Sequence, residues 1–239
     1  MLKIGVFDSG IGGLSVLDVL NRKLNGVNLS YFGDNANAPY GSLSLYHLTL
    51  NAKNCIDVLL KNKVDAIICG CNTISCSILR NLKDYSPVPV FGIFPPIEKE
   101  IILGKKTLLI CTETTARFNA IFSKKIDIIS AKGLVDEIEK TPFFTDEINV
   151  KKYLKTATFY DTVILGCTHY NFVKDGIKRA VNCKNIIDGR ENLVTTVARH
   201  FKIFNKNAPN KLLFLGDYAK TNCAIFEKKF EFWKKLSFF

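Results

Sequence analysis

The sequence predicts an α/β protein made of two similar parallel-sheet domains that face each other across a cleft. Three observations carry that expectation. Short β-branched runs alternate with amphipathic helical stretches across short connections, the pattern of a parallel sheet covered by helices. A ten-residue segment occurs twice, as VDAIICGCNT at 64–73 and YDTVILGCTH at 160–169. At this offset of 96 residues Asp65 falls on Asp161, Ile68 on Ile164, Gly70 on Gly166 and Cys71 on Cys167. Between the two copies, the Pro95-Pro96 pair marks a domain crossover.

Residues 2–7 alternate and are β-rich, so they form the first strand. It runs into a Gly-rich turn, DSGIGG, and then into helical spacing at Leu14, Leu17, Val19 and Leu20. A second strand at 29–32 leads to GDNANAPYG, a segment crowded with turn formers. A helix over 45–60, a strand at 66–69, a helix over 75–82 and a strand at 88–93 complete the first set. The pattern restarts at 107–111, where Thr112, Glu113, Thr114 and Thr115 open a helix much as Asp8 and Ser9 follow the first strand. Further strands are expected at 126–130, 162–165, Ile186-Ile187 and 212–215, with a terminal helix over 219–235.

Composition narrows the function classes. Of 239 residues, 47% are hydrophobic and 23% charged, ordinary for a globular protein. No apolar run approaches the ~20 residues that span a bilayer, and the amino terminus lacks the apolar stretch of a signal peptide. A cytoplasmic protein with reduced thiols is expected, with no membrane partner. Of the eight cysteines, Cys55, Cys69, Cys111, Cys183 and Cys223 read as small core or surface residues. The C-x-C-x4-C spacing of Cys69, Cys71 and Cys76 is not that of a structural zinc site, so no metal is expected. The net charge of +11 comes from scattered lysines, without a basic run or a nucleic-acid motif. Nucleic acid is not expected as the functional ligand, whereas a basic surface helps to attract an acidic substrate. GIGG is neither G-x-G-x-x-G nor a Walker A sequence, and no cofactor is expected.

The carboxyl ends of parallel strands are where ligands bind. Each copy of the repeat places a Cys just past such an end. Two opposed thiols suit one reaction class: a thiolate takes a proton from one face of a carbon while a thiol gives one to the other face, inverting the stereocentre. A free thiol, with a pKa of ~8.5, needs a neighbour to tune it. Asp8 is placed to approach Cys71, and His169 lies two residues from Cys167. An imidazolium favours the thiolate and a carboxylate the thiol, so the two sites would differ as acid and base must. Ser9, Asn72, Thr73, Thr115 and Thr168 supply hydroxyl and amide groups suited to the carboxylate and ammonium of an amino acid. Two other readings stay open: Cys167 with His169 also suits a hydrolase nucleophile, which has no need of Cys71, and Asp8 also suits an N-cap for a helix beginning near Ile11.

FDSGIGGLSVL, GDNANAPYG, GCNTIS and ILGCTHY together resemble the four signature segments of bacterial glutamate racemases, within the aspartate/glutamate racemase superfamily. The resemblance implies a cofactor-independent enzyme making D-glutamate for peptidoglycan, with Cys71 and Cys167 as acid and base in the interdomain cleft. Aspartate or another amino acid is the alternative substrate. It implies substrate contacts from Asp8, Ser9, Pro39, Tyr40, Gly41, Asn72, Thr73, Thr115, Thr168 and His169. Glu139, in GLVDEIE, matches a glutamate near the family's active site. The carboxyl-terminal segment is implied to return to the first domain, giving residues 1–93 with 205–239, and 94–204. The aromatic tail (Phe226, Phe230, Phe232, Trp233, Phe238, Phe239) suits core or dimer packing, and a homodimer is expected. The chain departs from the family pattern at Asn37, Phe118, Ile121, Asp136 and Asn171.

Overall fold

The computed structural model describes residues 1–203 and 208–231. In chain order its first elements are β1 (Leu2–Asp8), α1 (Leu14–Lys23), β2 (Val27–Gly33), α2 (Leu45–Lys61), β3 (Ala66–Cys69), α3 (Asn72–Tyr85), β4 (Val90–Gly92) and α4 (Ile97–Ile102). Then follow β5 (Thr107–Cys111), α5 (Glu113–Phe118), β6 (Asp127–Ser130), α6 (Leu134–Lys140), β7 (Tyr160–Gly166), α7 (Lys174–Ala180), β8 (Cys183–Asp188), α8 (Arg190–His200), β9 (Lys211–Leu215) and α9 (Ala219–Phe226). A 3-10 helix spans Thr168–Val173, and a π-helical turn, Glu227–Glu231, extends α9.

The strands form two sheets in which every pair is parallel, in the orders β4-β3-β1-β2-β9 and β6-β5-β7-β8. Read backwards, β8-β7-β5-β6 has the connectivity of β4-β3-β1-β2, so the faint sequence repeat is a repeat of topology. β3 corresponds to β7, and the residues after them, Cys71 and Cys167, occupy equivalent positions. Among the described residues β9 has no counterpart in the second sheet. It follows the second sheet in sequence yet pairs with β2 of the first, Leu29 opposite Leu212.

The strands form where they do because both faces are covered. β3, Ala-Ile-Ile-Cys, is buried throughout, and β7 is buried except at Asp161. Register then aligns the carboxyl ends: Phe7 pairs with Cys69 in one sheet, and Cys111 with Gly166 in the other. A continuous apolar cluster containing Leu14, Leu17 and Leu20 of α1 together with Leu165, Tyr170 and Val194 joins the two sheets' layers. Among the described residues, no helix is long and apolar enough to cross a membrane.

The expected α/β architecture with two parallel sheets is the one observed, and the elements differ mainly at their ends. The strand expected at 88–93 is only Val90–Gly92, because Pro89 has no N–H to give the ladder. The helix expected from Ser75 begins at Asn72, with the extended backbone of Cys71 as its N-cap position. The short helices α4, α6 and α7, and α8, go beyond the periodicity reading. Of the aromatic tail, Phe226 and Phe230 pack against each other at 5.6 Å between centroids, and Phe230 meets Phe172 at 5.4 Å. Phe232, Trp233, Phe238, Phe239 and the end of the expected 219–235 helix lie outside the described residues.

Candidate active site

Asp8 ends β1 at the centre of the first sheet and is wholly buried. Its Oδ1 accepts from the Ser9 backbone N–H at 2.7 Å and the Ser9 hydroxyl at 3.3 Å; its Oδ2 accepts from Thr168 Oγ1, across the cleft, at 3.0 Å. Burial pushes this carboxyl up to about 6, against the opposing pull of the His169 charge and the donors Ser9, Thr168 and Cys71. Asp8 is not a helix cap: the first 3-10 turn, Ile11–Gly13, has Gly10 at its N-cap and no side-chain cap bond.

Cys71 stands beside Asp8, and burial followed by the Asp8 charge pushes its thiol well above the ordinary value. Across the cleft, Cys167 Sγ lies 3.8 Å from His169 Nδ1, and His169 Nε2 lies 2.5 Å from Glu139 Oε1. Glu139 comes from α6 and also accepts from the backbone N–H of Ile11, in the first domain, at 2.8 Å. Burial alone would lower the imidazole and raise the carboxyl. Hydrogen bonding and charge outweigh it: Cys167 and Glu139 hold His169 well above its usual range, and His169 and Ile11 hold Glu139 below its own.

The backbone N–H of Gly12 also points at His169 Nε2, at 3.3 Å. One ring nitrogen cannot accept from Gly12 and donate to Glu139 together. The 2.5 Å separation from a carboxylate requires a proton between the atoms, so Nε2 is the donor and the Gly12 contact is secondary. Nδ1 is then the ring atom that faces Cys167. Both thiols are nearly covered, Cys71 being 5% exposed and Cys167 6%. Around them, two environments differ in sign: a carboxyl beside one thiol, an imidazole held by a carboxylate beside the other.

The remaining sequence candidates fall around this pair unevenly. Thr73 Oγ1 meets Thr112 Oγ1 at 2.9 Å, and Thr112 Oγ1 meets Thr115 Oγ1 at 3.0 Å, a hydroxyl chain from α3 to α5 across the domains. Thr112, which no functional reading singled out, is its centre and also caps α5 through the Thr115 N–H. Asn72 donates to the Ile93 carbonyl at 3.3 Å, and its buried Oδ1 has no donor among the described residues. Pro39 and Gly41 line a cavity of about 250 Å³ with Thr112, Ala131 and Tyr170. The side chain of Tyr40 turns away into the first domain, its hydroxyl bonding Asp34 and lying 3.9 Å from Cys55 Sγ. Its backbone neighbour Gly41 faces the second domain, where its carbonyl accepts from Thr114 Oγ1 at 2.9 Å.

Named relatives match this chain over most of its length. It is 34% identical over 231 residues to the glutamate racemase of Aquifex pyrophilus, covering 91% of this chain and 90% of the relative. Over 238 residues it is 32% identical to the glutamate racemase of Clostridium novyi (strain NT), covering 92% and 89%. The chain belongs to the glutamate racemase family. It is an isomerase acting on amino acids. Solved structures agree: glutamate racemase from Campylobacter jejuni subsp. jejuni matches with TM-score 0.80 and 25% identity, over 96% of this chain and 98% of that one. Glutamate racemase from Thermus thermophilus, in complex with β-chloro-D-alanine, matches with TM-score 0.75 and 32% identity, over 95% and 92%. No family model matches the chain.

The departures from the family pattern have identifiable places in the enzyme. Asn37 donates to both Asp34 oxygens, at 2.9 and 3.1 Å. Asn171 Nδ2 donates to the Thr168 carbonyl at 3.3 Å, a hydrogen bond that ties the turn after Cys167. Phe118 and Ile121 are exposed on the second domain, and Asp136 is exposed on α6.

Gly12 gives the site a direct test. A Cβ there would lie 2.6 Å from Thr168 Oγ1 and would also strike the His169 ring. Gly12→Ala is expected to displace the 167–169 turn and cut turnover about a hundredfold while the protein stays folded. Steady-state assay beside circular dichroism checks this; unimpaired turnover would contradict the contact.

Proposed function

We propose that this enzyme interconverts L- and D-glutamate by moving the α-proton between two thiols, and that it supplies D-glutamate for peptidoglycan. The observation that carries the reading is the placement of Cys71 and Cys167 on topologically equivalent strand ends, each beside its own tuning group. In one direction a thiolate on one face takes the α-proton, and the opposite thiol delivers its own proton to the other face. In the reverse direction the roles exchange, and no proton is gained or lost overall. Cys167 reaches its thiolate by passing its proton to His169 Nδ1, with Glu139 holding the imidazolium. Cys71 passes its proton to Asp8. A carboxyl of pKa about 6 suits that exchange near neutrality better than an ordinary aspartate.

Substrate recognition follows from the unsatisfied and hydroxyl groups around the thiols. The bare Asn72 Oδ1 suits the α-ammonium. Ser9, Thr73, Thr115, Thr168 and the Gly41 backbone offer partners to the carboxylates. In support, glutamate racemase from Francisella tularensis subsp. tularensis SCHU S4, 25% identical with TM-score 0.71, was solved in complex with D-glutamate. Because both thiols are covered, the bodies 1–93 with 205–239, and 94–204, part to admit substrate and close to keep water from the carbanion. The active protein is read as a cytoplasmic homodimer.

Proton NMR of the purified protein with L- or D-glutamate in deuterated water, without added cofactor, tests the reading. The α-proton signal is expected to vanish while the optical rotation decays to zero. Exchange of aspartate alone would move the substrate, and the absence of any exchange in folded, reduced protein would remove the proposal.

A further inference from the structure

The proton transfers above use Glu139 and His169, and a tyrosine of the first domain reaches both through a single peptide unit. Tyr31, on β2, is 1% exposed and lies in register between Val6 of β1 and Phe214 of β9. Its ring packs edge-on against Phe214 at 6.2 Å between centroids. Its hydroxyl donates to the Gly10 carbonyl. The other end of that peptide, the Ile11 N–H, donates to Glu139 Oε1 in the second domain at 2.8 Å. The same Oε1 meets His169 Nε2 at 2.5 Å, and His169 Nδ1 faces Cys167.

Each of these bonds has one direction. A carbonyl carries no proton, so the Tyr31 hydroxyl must donate; a backbone N–H donates, and a carboxylate accepts. Gly10 C=O and Ile11 N–H belong to one planar unit and point opposite ways, so a donor that fixes the oxygen also aims the N–H. Accepting a hydrogen bond at the oxygen also polarises the unit and strengthens the N–H as a donor. Turned over, the peptide would set the Gly10 oxygen against the Glu139 carboxylate. Burial, with the charges of Asp8 and Glu139, pushes the Tyr31 phenol well above its ordinary value, so it stays a donor. Room for the contacts is built into the backbone. A Cβ on Gly10 would strike the Glu139 carboxylate, and one on Gly13 would fall 2.9 Å from the Tyr31 hydroxyl. Packing does not call for that hydroxyl. Tyr31 belongs to the apolar cluster of Leu14, Leu29 and Phe226, where a phenylalanine would bury the same ring with no polar atom to satisfy.

We propose that Tyr31 is a positioning residue for the Cys167 side of the reaction: through the Gly10–Ile11 peptide it holds Glu139, and Glu139 holds His169 against Cys167. The core of the first domain thereby sets the proton acceptor of the second, across the cleft. This inference rests on the proposed role of the Cys167–His169 pair.

The test compares the full-length protein with its Tyr31→Phe variant, with Glu139 intact and in a Glu139→Ala background. Tyr31→Phe removes one oxygen and keeps the ring, so the core is retained. A second variant, Gly10→Ala, keeps Tyr31 and sets a methyl where the Glu139 carboxylate lies. With Glu139 intact, Tyr31→Phe is expected to lower kcat/KM about tenfold. The charged groups facing His169 are Glu139, Cys167 and Asp8. Loosening Glu139 through either variant is expected to move the His169 titration downward in NMR, leaving the other two histidines, His47 and His200, in place. In the Glu139→Ala background, adding Tyr31→Phe is expected to leave the His169 titration where it is and to change kcat/KM less than twofold. Tyr31 also lies near Asp8, and an effect routed through Asp8 would persist without Glu139. That persistence, an unmoved His169, or an unchanged kcat/KM in Tyr31→Phe would overturn the inference while leaving racemisation intact. Wild-type protein that does not racemise glutamate would overturn the parent reading, and this inference with it.

Discussion

Cys71→Ser and Cys167→Ser are each expected to abolish racemisation, by roughly a thousandfold or more, within the range that positioned acid–base groups contribute. The loss must appear equally in kcat/KM from either enantiomer, since the two have the same free energy and the ratio of forward to reverse is fixed at unity. Asking which direction a variant blocks therefore yields nothing from racemisation rates. The discriminating signal is α-proton exchange into deuterated water. Each enantiomer presents its α-hydrogen to only one thiol, so a variant keeping that thiol can still remove the hydrogen and return deuterium to the same face. Exchange without inversion is expected from one enantiomer in Cys71→Ser and from the other in Cys167→Ser. A Cys71→Ser protein with near-normal turnover would end the two-thiol account, leaving Cys167, His169 and Glu139 as a nucleophile set.

Asp8→Asn is expected to make the protein more stable and nearly inactive. Below pH 3.8 the carboxyl is protonated in both the native and the unfolded chain, so its burial carries no ionisation penalty. Between 3.8 and about 6 the unfolded chain ionises while the native one stays protonated, and stability falls as pH rises. Above about 6 the full penalty persists; moving a carboxyl that far corresponds to about 3 kcal/mol at most. An amide keeps the shape and escapes the penalty. The variant should therefore gain about 2 kcal/mol over wild type at pH 7 in urea unfolding, with the gain disappearing below about pH 4. Activity should fall at least a hundredfold, because an amide cannot take the Cys71 proton. A variant less stable than wild type at pH 7 would show that the hydrogen bonds from Ser9 and Thr168 outweigh the burial of charge. The antagonism is the signature of a functional carboxyl held where folding alone would not place one.

The parts of this site that could be read from the chain are those written locally. A buried strand must end in a turn, and whatever follows Gly70 or Gly166 must sit at a carboxyl end, so the repeated strand–Gly–Cys segment located both thiols without a structure. His169 was legible for the same reason, being two residues from Cys167. Asp8 was legible as a residue at the end of a strand. The family resemblance added Glu139, whose contact with His169 spans 30 residues and has no local signature.

What the sequence by itself determined, then, is the α/β class, the doubled arrangement and the position of two thiols just past equivalent strand ends, because strand periodicity and turn chemistry act over a few residues. Tertiary structure alone decided the rest. It turned the Tyr40 hydroxyl toward Asp34 and Cys55 and away from the cleft, because the aromatic ring gains more from the first-domain core than from a polar site. It made Thr112 the bridge between Thr73 and Thr115, and joined Asn222 to Asn35. Such contacts depend on how two sheets are placed against each other. A side chain's hydrogen-bonding partner is set by distance in space, and nothing in the spacing of residues along a chain records it.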